Sequence, residues 1–219
     1  MHSNRRWRAL CCALGLGAVL ATTGSASALT LFDLDGGGTP TFTTVSGLTF
    51  SNFHATVVGG LSPDLSQYPV QPQADGFLLS GPLFVAGGGV GTLLLSYQVT
   101  AMAPILVGAS LSAPGLTIGA GALAVVGESL FGPASAFLGS LSAYDIEGVG
   151  SIPSDSIPFG PVSQLSVAKS ATLGGGIFAA VPSSISQRFQ LVPEPVSMLL
   201  LTMGLVGLAW WRPRRMLAD

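Results

Sequence analysis

From Thr92 to Ala101 the chain reads Thr-Leu-Leu-Leu-Ser-Tyr-Gln-Val-Thr-Ala, and apolar and polar side chains alternate along this stretch. Leu94 is the exception, an apolar residue among the polar ones. A period of two over ten residues is typical of a β-strand that buries one face. We therefore predict a half-buried strand whose buried face carries Leu93, Leu95, Tyr97, Val99 and Ala101.

Similar short runs lie on both sides of this strand, and glycine or proline interrupts them about every 8–12 residues. No stretch between Leu29 and Leu191 has a long helical period free of glycine and proline. The pattern predicts an all-β fold, an antiparallel β-sandwich of jelly-roll-like arrangement. The further predicted strands are 48–58, 77–80, 105–111, 116–118, 122–128, 136–143, 165–173, 177–181 and 185–191.

Clusters of proline and glycine mark the predicted connections. Residues 61–76 and 150–161 each contain three prolines, and we predict both to be long loops. The triplets Gly87–Gly89 and Gly174–Gly176 are predicted to be hairpin or bulge positions, because glycine adopts positive φ without strain.

The first 28 residues have the features of a signal peptide. A basic start with arginines is followed by the apolar run 9–21 and by small residues at a cleavage site, Ala26 and Ala28. The mature chain is then expected to begin at Leu29. The pair Arg5 and Arg6 leaves the twin-arginine export route open, and we favour the general secretory route because paired arginines are common in such basic starts.

An uncharged run of 16 residues, Val196 to Trp211, lies near the other end. It is slightly shorter than the about 17–25 residues of most transmembrane helices, so a buried core helix is the alternative. The flanking residues favour the membrane: a proline suits the first turn, tryptophans suit the headgroup region and arginines suit the cytoplasmic side. These residues are Pro195, Trp210, Trp211, Arg212, Arg214 and Arg215. We predict one transmembrane helix at about 196–211.

The tail also presents three features in a fixed order. Val192-Pro193-Glu194-Pro195 comes first, the apolar run follows, and an arginine cluster interrupted by Pro213 comes last. This order resembles the PEP-CTERM sorting signal of exported proteins in Gram-negative bacteria that make extracellular polysaccharide. The resemblance implies that 192–215 is a sorting and anchor segment, that an exosortase processes the chain near it, and that Pro193, Glu194 and Pro195 are recognition residues.

Charge is distributed unevenly along the chain. Six of the eight basic residues lie in the two ends, so the body (29–191) keeps only Lys169 and Arg188. Nine of the ten acidic residues lie in the body or at its border. Such an acidic surface excludes the basic footprint that nucleic acid needs. Both cysteines, Cys11 and Cys12, lie in the signal peptide, so the mature body is expected to have no disulfide and no thiol.

The body resembles, in five short patterns, the ectodomains common among PEP-CTERM proteins. In those proteins aspartate usually follows the lysine of the fourth pattern, whereas Ser170 stands there in this chain. The resemblance implies a fold more than a function. The patterns are Gly-Phe-x-Leu at 76–79, Leu-x-Tyr-x-Val at 95–99, Val-x-Glu at 126–128, Val-x-Lys at 167–169 and Ile-Ser-Gln-x-Phe at 185–189.

Lys169 is predicted to lie on an apolar strand face. By alternation it shares that face with Leu165, Val167, Ala171 and Leu173. A buried, unpaired charge is costly, so the lysine must reach solvent at the sheet rim or pair with an acid. The patterns described above contain one acid, and we therefore predict a structural ion pair between Lys169 and Glu128.

Few residues of the body suggest chemistry, and we predict no catalytic residue and no cofactor. His54 is the only histidine of the body, and no Gly-x-Ser-x-Gly motif accompanies it. Asp33 and Asp35 precede a glycine triplet and form a weak Ca²⁺ candidate, which lacks a third oxygen residue and a distal glutamate. A glycosidase needs two carboxylates across a cleft, and no motif pairs those of Glu128, Asp145 and Glu147.

Together these features predict an exported, non-enzymatic protein of the cell surface or extracellular matrix, with a structural or binding role. Its expected partners are an exosortase, the inner membrane and extracellular polysaccharide. Two alternatives remain open at this point. One is a secreted hydrolase or lectin acting on glycans, against which the absence of tryptophan from the body argues. The other is a module that stays anchored in the periplasm.

Overall fold

The computed structural model describes residues 29–36, 40–102, 105–118, 120–176, 179–182, 184–192 and 202–206. Strands dominate these residues, together with one short α-helix in the body, a helical stretch at 202–206 and two 3₁₀ turns, Leu65–Gln67 and Pro133–Ser135. The helix and strands in chain order are β1 (Leu29–Thr30), α1 (Leu31–Asp35), β2 (Phe42–Thr43), β3 (Leu48–Gly59), β4 (Pro69–Pro72), β5 (Gly76–Leu79), β6 (Val85–Ala86), β7 (Val90–Ala101), β8 (Ile105–Ser112), β9 (Gly115–Ile118), β10 (Leu123–Phe131), β11 (Phe137–Ile146), β12 (Gly150–Ile152), β13 (Ser154–Val162), β14 (Gln164–Gly174), β15 (Ala179–Pro182) and β16 (Ile185–Val192).

Two antiparallel sheets form the body. The six-stranded sheet has the order β1-β4-β5-β16-β8-β13, and the seven-stranded sheet has the order β12-β11-β10-β14-β7-β3-β2. A third, smaller sheet has the order β6-β15-β9. Chain neighbours such as β7 and β8 are in different sheets, so the chain crosses repeatedly between the two layers. The all-β sandwich predicted from the sequence is confirmed at this level.

The core lies between the inner faces of the two sheets. In β7 the predicted face is buried, because Leu93, Leu95, Tyr97, Val99 and Ala101 are each at most 5% exposed. Aromatic rings connect the layers: Phe50 of β3 lies 5.5 Å from Phe77 of β5 and 5.9 Å from Phe189 of β16, measured between ring centroids. Burial of such rings drives the association of the two sheets.

The prediction of long loops at 61–76 and 150–161 was wrong. The first contains a 3₁₀ turn and β4, and the second contains β12 and nearly all of β13. For 150–161 the physical reason is the edge of the sheet. Proline lacks an N–H and is excluded from the centre of a sheet but is tolerated at its edge. Strand β13 is the edge strand beside β8, and its ladder slips between Pro158 and Val162.

The two glycine triplets differ. Gly87 and Gly88 have φ of 67° and 75° in the turn between β6 and β7, which confirms the prediction for that triplet. The prediction of positive φ at 174–176 was wrong, since none of the three has it. Gly174 continues β14. A Cβ atom at Gly176 would overlap the backbone carbonyl of Ala120, so glycine permits a close approach there.

We expect Gly76→Ala to lower the free energy of unfolding by about 1–3 kcal/mol, as overpacking of a core does. Gly76 lies opposite Arg188 in the β5–β16 ladder, and a Cβ atom there would overlap the backbone carbonyl of Gln187. Urea unfolding measures the change. Gly160→Ala is the control, because nothing lies within 4 Å of its added Cβ. Equal stability of both variants would contradict the close approach of β5 to β16.

The two predicted targeting segments lie largely outside the described residues. These are the signal peptide with Ala26 and Ala28, Pro193 to Pro195, and most of 196–211 with the arginines that follow. Residues 202–206 are helical. Among the residues that the structure describes, no helix has the length and apolar character needed to cross a membrane.

Candidate functional site

A polar cluster lies in the middle of the sandwich, between the two sheets. Glu128 of β10 and Lys169 of β14 are direct partners in the ladder of the seven-stranded sheet, and both point inward. Gln187 of β16 reaches them from the six-stranded sheet. Tyr97 of β7 is buried beside them, and the charge of Glu128 acts on it. We call these four residues the inter-sheet cluster.

Short polar contacts close a triangle within this cluster. Lys169 Nζ lies 2.6 Å from Glu128 Oε2 in an ion pair, and it donates a hydrogen bond of 2.6 Å to Gln187 Oε1. Gln187 Nε2 donates in turn to Glu128 Oε1 at 3.0 Å. The structure thus brings together the two residues that the sequence paired and adds a bridging amide from the opposite sheet.

The inter-sheet cluster is almost completely removed from solvent. The side chains of Lys169 and Glu128 are 2% and 0% exposed. Burial lowers the pKa of Lys169 from its ordinary value, and the charge and hydrogen bonding of Glu128 oppose that shift. Burial also raises the pKa of Tyr97 well above its ordinary value, and the Glu128 charge adds to the rise. A substrate in solution has no access to these groups, so they act within the protein.

We expect Tyr97→Phe to raise the free energy of unfolding by about 1 kcal/mol, because a buried polar group without a partner costs stability. The Tyr97 hydroxyl is buried and has no hydrogen-bond partner among the described residues. Tyr68→Phe is the matched control. Tyr68 is equally buried, but its hydroxyl donates to the Ser62 carbonyl at 2.8 Å, so its loss should lower stability by about 1 kcal/mol. Chemical denaturation of both variants measures the signs, and a loss in both would contradict the assignment for Tyr97.

A shallow groove runs along the outer face of the seven-stranded sheet. Its volume is about 380 Å³, and we call it the outer groove. Strand alternation turns small side chains toward it, so that its floor is close to the backbone. The outward residues that line it are Leu94, Gly127, Ser129, Ser140, Ala168 and Ser170.

A second hollow of about 200 Å³ shares Leu94 and Ala168 with the outer groove and contains His54. A β-bulge determines which face of the sheet the His54 side chain points to. The register shifts between Ser51 and His54, and Asn52 has φ of 54°. The extra residue moves Phe53 onto the buried face and turns His54 outward. The bulge and His54 both lie within β3, away from its ends.

His54 has an acidic partner. Its Nδ1 lies 3.0 Å from Asp35 Oδ1, and the His54 side chain is 85% exposed. Ser96 of β7 is its direct partner across the ladder, and it lines the same hollow. A hydroxyl, an imidazole and a carboxylate therefore occupy neighbouring positions, although no hydrogen bond joins Ser96 to His54 in the described part of the chain.

Asp33 and Asp35, the weak Ca²⁺ candidate, have different hydrogen-bond partners and do not form one site. Asp33 belongs to the capping box of α1, where it accepts hydrogen bonds from the Thr30 backbone and hydroxyl at 2.9 and 2.6 Å. These hydrogen bonds hold the pKa of Asp33 below its ordinary value. Asp35 instead bonds His54 and the Ala55 N–H. Within the described ranges, no three His, Cys, Asp or Glu side chains gather as a metal site.

The remaining acids of the sequence analysis are not brought together as a pair across a cleft. Glu128 points into the core, Asp145 is half-buried near the end of β11, and Glu147 is exposed in the turn that follows. Val192, the first residue of the predicted sorting motif, ends β16 and is exposed. Pro193, Glu194, Pro195, Trp210, Trp211, Arg212, Arg214 and Arg215 lie outside the described residues.

Three features were missed by the sequence analysis. Gln187 belongs to the pattern Ile-Ser-Gln-x-Phe, but no role was predicted for it. It lies on the same strand face as Ile185 and Phe189, so alternation alone predicts that it faces the core. The outer groove has only a faint signature, small residues at alternate positions of neighbouring strands. The Ser96–His54 neighbourhood depends on the bulge and on strand register, which the sequence does not reveal.

Comparison with known proteins found solved structures of low similarity. No family model matches it, and no curated protein matches it. A structure of TmCBM61 in complex with beta-1,4-galactotriose is similar at 12% identity and a TM-score of 0.35, covering 64% of this chain and 88% of that one. A structure of carbohydrate-binding modules from the beta-sandwich super family has 11% identity and a TM-score of 0.27, covering 76% and 62%.

The cellulase endo-1,4-beta-glucanase CelB2 is similar at 8% identity and a TM-score of 0.29, covering 70% of this chain and 96% of that one.

Proposed function

We propose that this chain is an exported, non-enzymatic protein of the cell surface or extracellular matrix that is sorted by its C-terminal tail. The observation that carries the proposal is the order of Pro193-Glu194-Pro195, an uncharged run and an arginine cluster at the end of the chain. In this account the signal peptide directs export, the apolar run holds the chain in the inner membrane, and an exosortase processes it there.

The strand order supports a jelly-roll-like body that ends directly at the sorting motif. Strands β5, β16, β8 and β13 are neighbours in one sheet, and β11, β10, β14 and β7 are neighbours in the other. Taken in chain order, these strands thus alternate between the two sheets, except that β10 and β11 are neighbours in one sheet, as two Greek keys require. The last strand ends at Val192, so the proposed recognition residues follow the body directly in the chain.

The outer groove supports a binding role toward polysaccharide. Hydroxyls of Ser129, Ser140 and Ser170 line an open floor on which a chain of sugar hydroxyls can form hydrogen bonds. The body has only two basic residues, and nine acidic residues lie in it or at its border. An anionic polymer would be repelled, so we propose a neutral polysaccharide as the ligand. The inter-sheet cluster has no part in this role because it is sealed from solvent.

The test of the binding role is retention of the full chain on the neutral polysaccharide purified from the producing cells. Ser170→Trp fills the outer groove and is expected to weaken retention by at least about tenfold, a loss of about 1.4 kcal/mol. Ser151→Trp on the exposed edge strand β12 is the matched control and should bind as the unmodified chain does. Equal retention of the two variants would contradict binding in the groove and leave a purely structural role.

A hydrolase acting on surface glycan is the second candidate, and the neighbourhood of Ser96, His54 and Asp35 favours it. A serine hydrolase, which cleaves acyl bonds such as the ester substituents of a glycan, needs a nucleophile, a base that contacts it and an acid that orients the base. A fluorophosphonate probe distinguishes the two functions. The non-enzymatic proposal predicts no labelling of the folded chain, whereas labelling that Ser96→Ala abolishes would establish the hydrolase.

A further inference from the structure

We propose that Lys169 and Gln187 join in an intramolecular amide bond, formed with release of ammonia, and that Glu128 carries the protons of this reaction. The bond would run from Lys169 Nζ to Gln187 Cδ. It would tie β14 of the seven-stranded sheet covalently to β16 of the six-stranded sheet. The inference stands apart from the proposed function and does not depend on it.

The two side chains that would react are already in contact. Lys169 Nζ lies 2.6 Å from Gln187 Oε1. Since the C=O bond is about 1.2 Å long, Cδ is at most about 3.8 Å from the amine nitrogen. The terminal torsion of a glutamine amide is broad, so a modest turn presents Cδ to the amine at the about 3–3.5 Å of a near-attack arrangement.

Glu128 contacts both nitrogens whose protons must move. Its Oε2 is 2.6 Å from Lys169 Nζ, and its Oε1 accepts from Gln187 Nε2 at 3.0 Å. The carboxylate can therefore take a proton from the ammonium on one side and deliver a proton to the leaving nitrogen on the other. These are the positions that a general acid and base needs.

The reaction balances without an oxidant or a cofactor. Lys169 gives a proton to Glu128, and the lone pair of the neutral amine then attacks Cδ, which places the carbonyl electrons on Oε1. The carboxyl group then passes its proton to Nε2 of the tetrahedral intermediate, and the carboxylate that this leaves takes the second proton from the lysine nitrogen. The C–N bond to Nε2 breaks, and ammonia leaves and takes the remaining proton from Glu128. The net change converts a lysine ammonium and a glutamine amide into one secondary amide and an ammonium ion.

The surroundings favour this chemistry over a simple ion pair. Burial lowers the pKa of Lys169, which increases the share of the neutral, nucleophilic amine. Gln187 is 0% exposed, so water does not compete for Cδ. The mature body is expected to have no cysteine, and an exported chain without disulfides gains a covalent cross-link of another kind.

The mass of the purified, denatured full chain tests the proposal. We expect a mass about 17 Da below that calculated for the same stretch of sequence, the mass of one ammonia. Trypsin adds a second readout, because Lys169 and Arg188 are the only tryptic sites of the body. A lysine in an amide bond is not cut, so we expect no peptide that ends at Lys169 and no free peptide 170–188.

Two variants assign the roles. Glu128→Gln keeps the shape and hydrogen-bonding capacity but cannot carry the proton, so it should show the full mass and be cut after Lys169. Lys169→Met with Glu128→Gln removes both charges together and serves as the folded, unlinked control if the single variant fails to fold. An unmodified chain of full mass that trypsin cuts after Lys169 would overturn the proposal. A loss of about 17 Da with cleavage after Lys169 would also overturn it, because the ammonia then came from elsewhere.

Discussion

Glu128→Leu is expected to lower the free energy of unfolding by about 3–5 kcal/mol relative to the chain in which Lys169 and Gln187 are not joined, the cost of breaking a buried ion pair by removing one partner. The variant leaves Lys169 in the core without its counter-charge, 2.6 Å from a carboxylate oxygen that no longer exists. Gln187 loses its acceptor at the same time. Urea unfolding followed by circular dichroism measures the change.

Two controls separate the unpaired charge from the lost side chain. Glu128→Leu combined with Lys169→Met removes both charges and should recover most of the loss, because apolar replacement of a buried pair is often neutral. Asp75→Ala breaks the exposed pair in which Arg188 Nε lies 3.8 Å from Asp75 Oδ1, and it should change stability by less than about 1 kcal/mol. A double variant less stable than Glu128→Leu would contradict the electrostatic explanation.

Replacing Pro193, Glu194 and Pro195 together by alanine is expected to abolish processing of the tail in the producing cells. These residues follow the exposed end of β16, and we propose that the processing enzyme recognises them. A product without them should stay in the inner membrane with its tail attached. Membrane fractionation with an immunoblot against the body measures the shift, and we expect it to be nearly complete.

Pro213→Ala is the matched control for that experiment. Pro213 lies in the same tail but outside the motif, within the arginine cluster that it interrupts. Processing of this variant should equal that of the unmodified chain. Release of the triple alanine variant at an unchanged rate would contradict recognition through Pro193 to Pro195.

The sequence predicted those features that follow from strand alternation and from the cost of burying a charge. Alternation in 92–101 predicted the buried face of β7, and the same reasoning put Lys169 on a face where only a paired charge is tolerated. Glu128 lies directly opposite it in the ladder. Local pattern thus predicted the all-β fold and the two charged residues of the inter-sheet cluster.

Features that depend on register or on sheet position were beyond the sequence. The prolines of 150–161 indicated a loop, but an edge strand tolerates them, and only the completed sheet shows that β13 is at an edge. The bulge at Asn52 adds one residue to β3, so the side chains after it point to the opposite faces of the sheet from those that simple alternation predicts. His54 therefore lies beside Ser96 instead of in the core. The bridging amide of Gln187 requires the packing of one sheet on the other.

The intact mass of the product isolated from the cell surface or medium tests the central claim, export followed by processing of the tail, most directly. The account predicts a chain that begins at Leu29 and lacks the apolar run and the arginines after it. A mature product that still carries Leu199 to Arg215 would contradict processing and would identify the protein as a permanently anchored module.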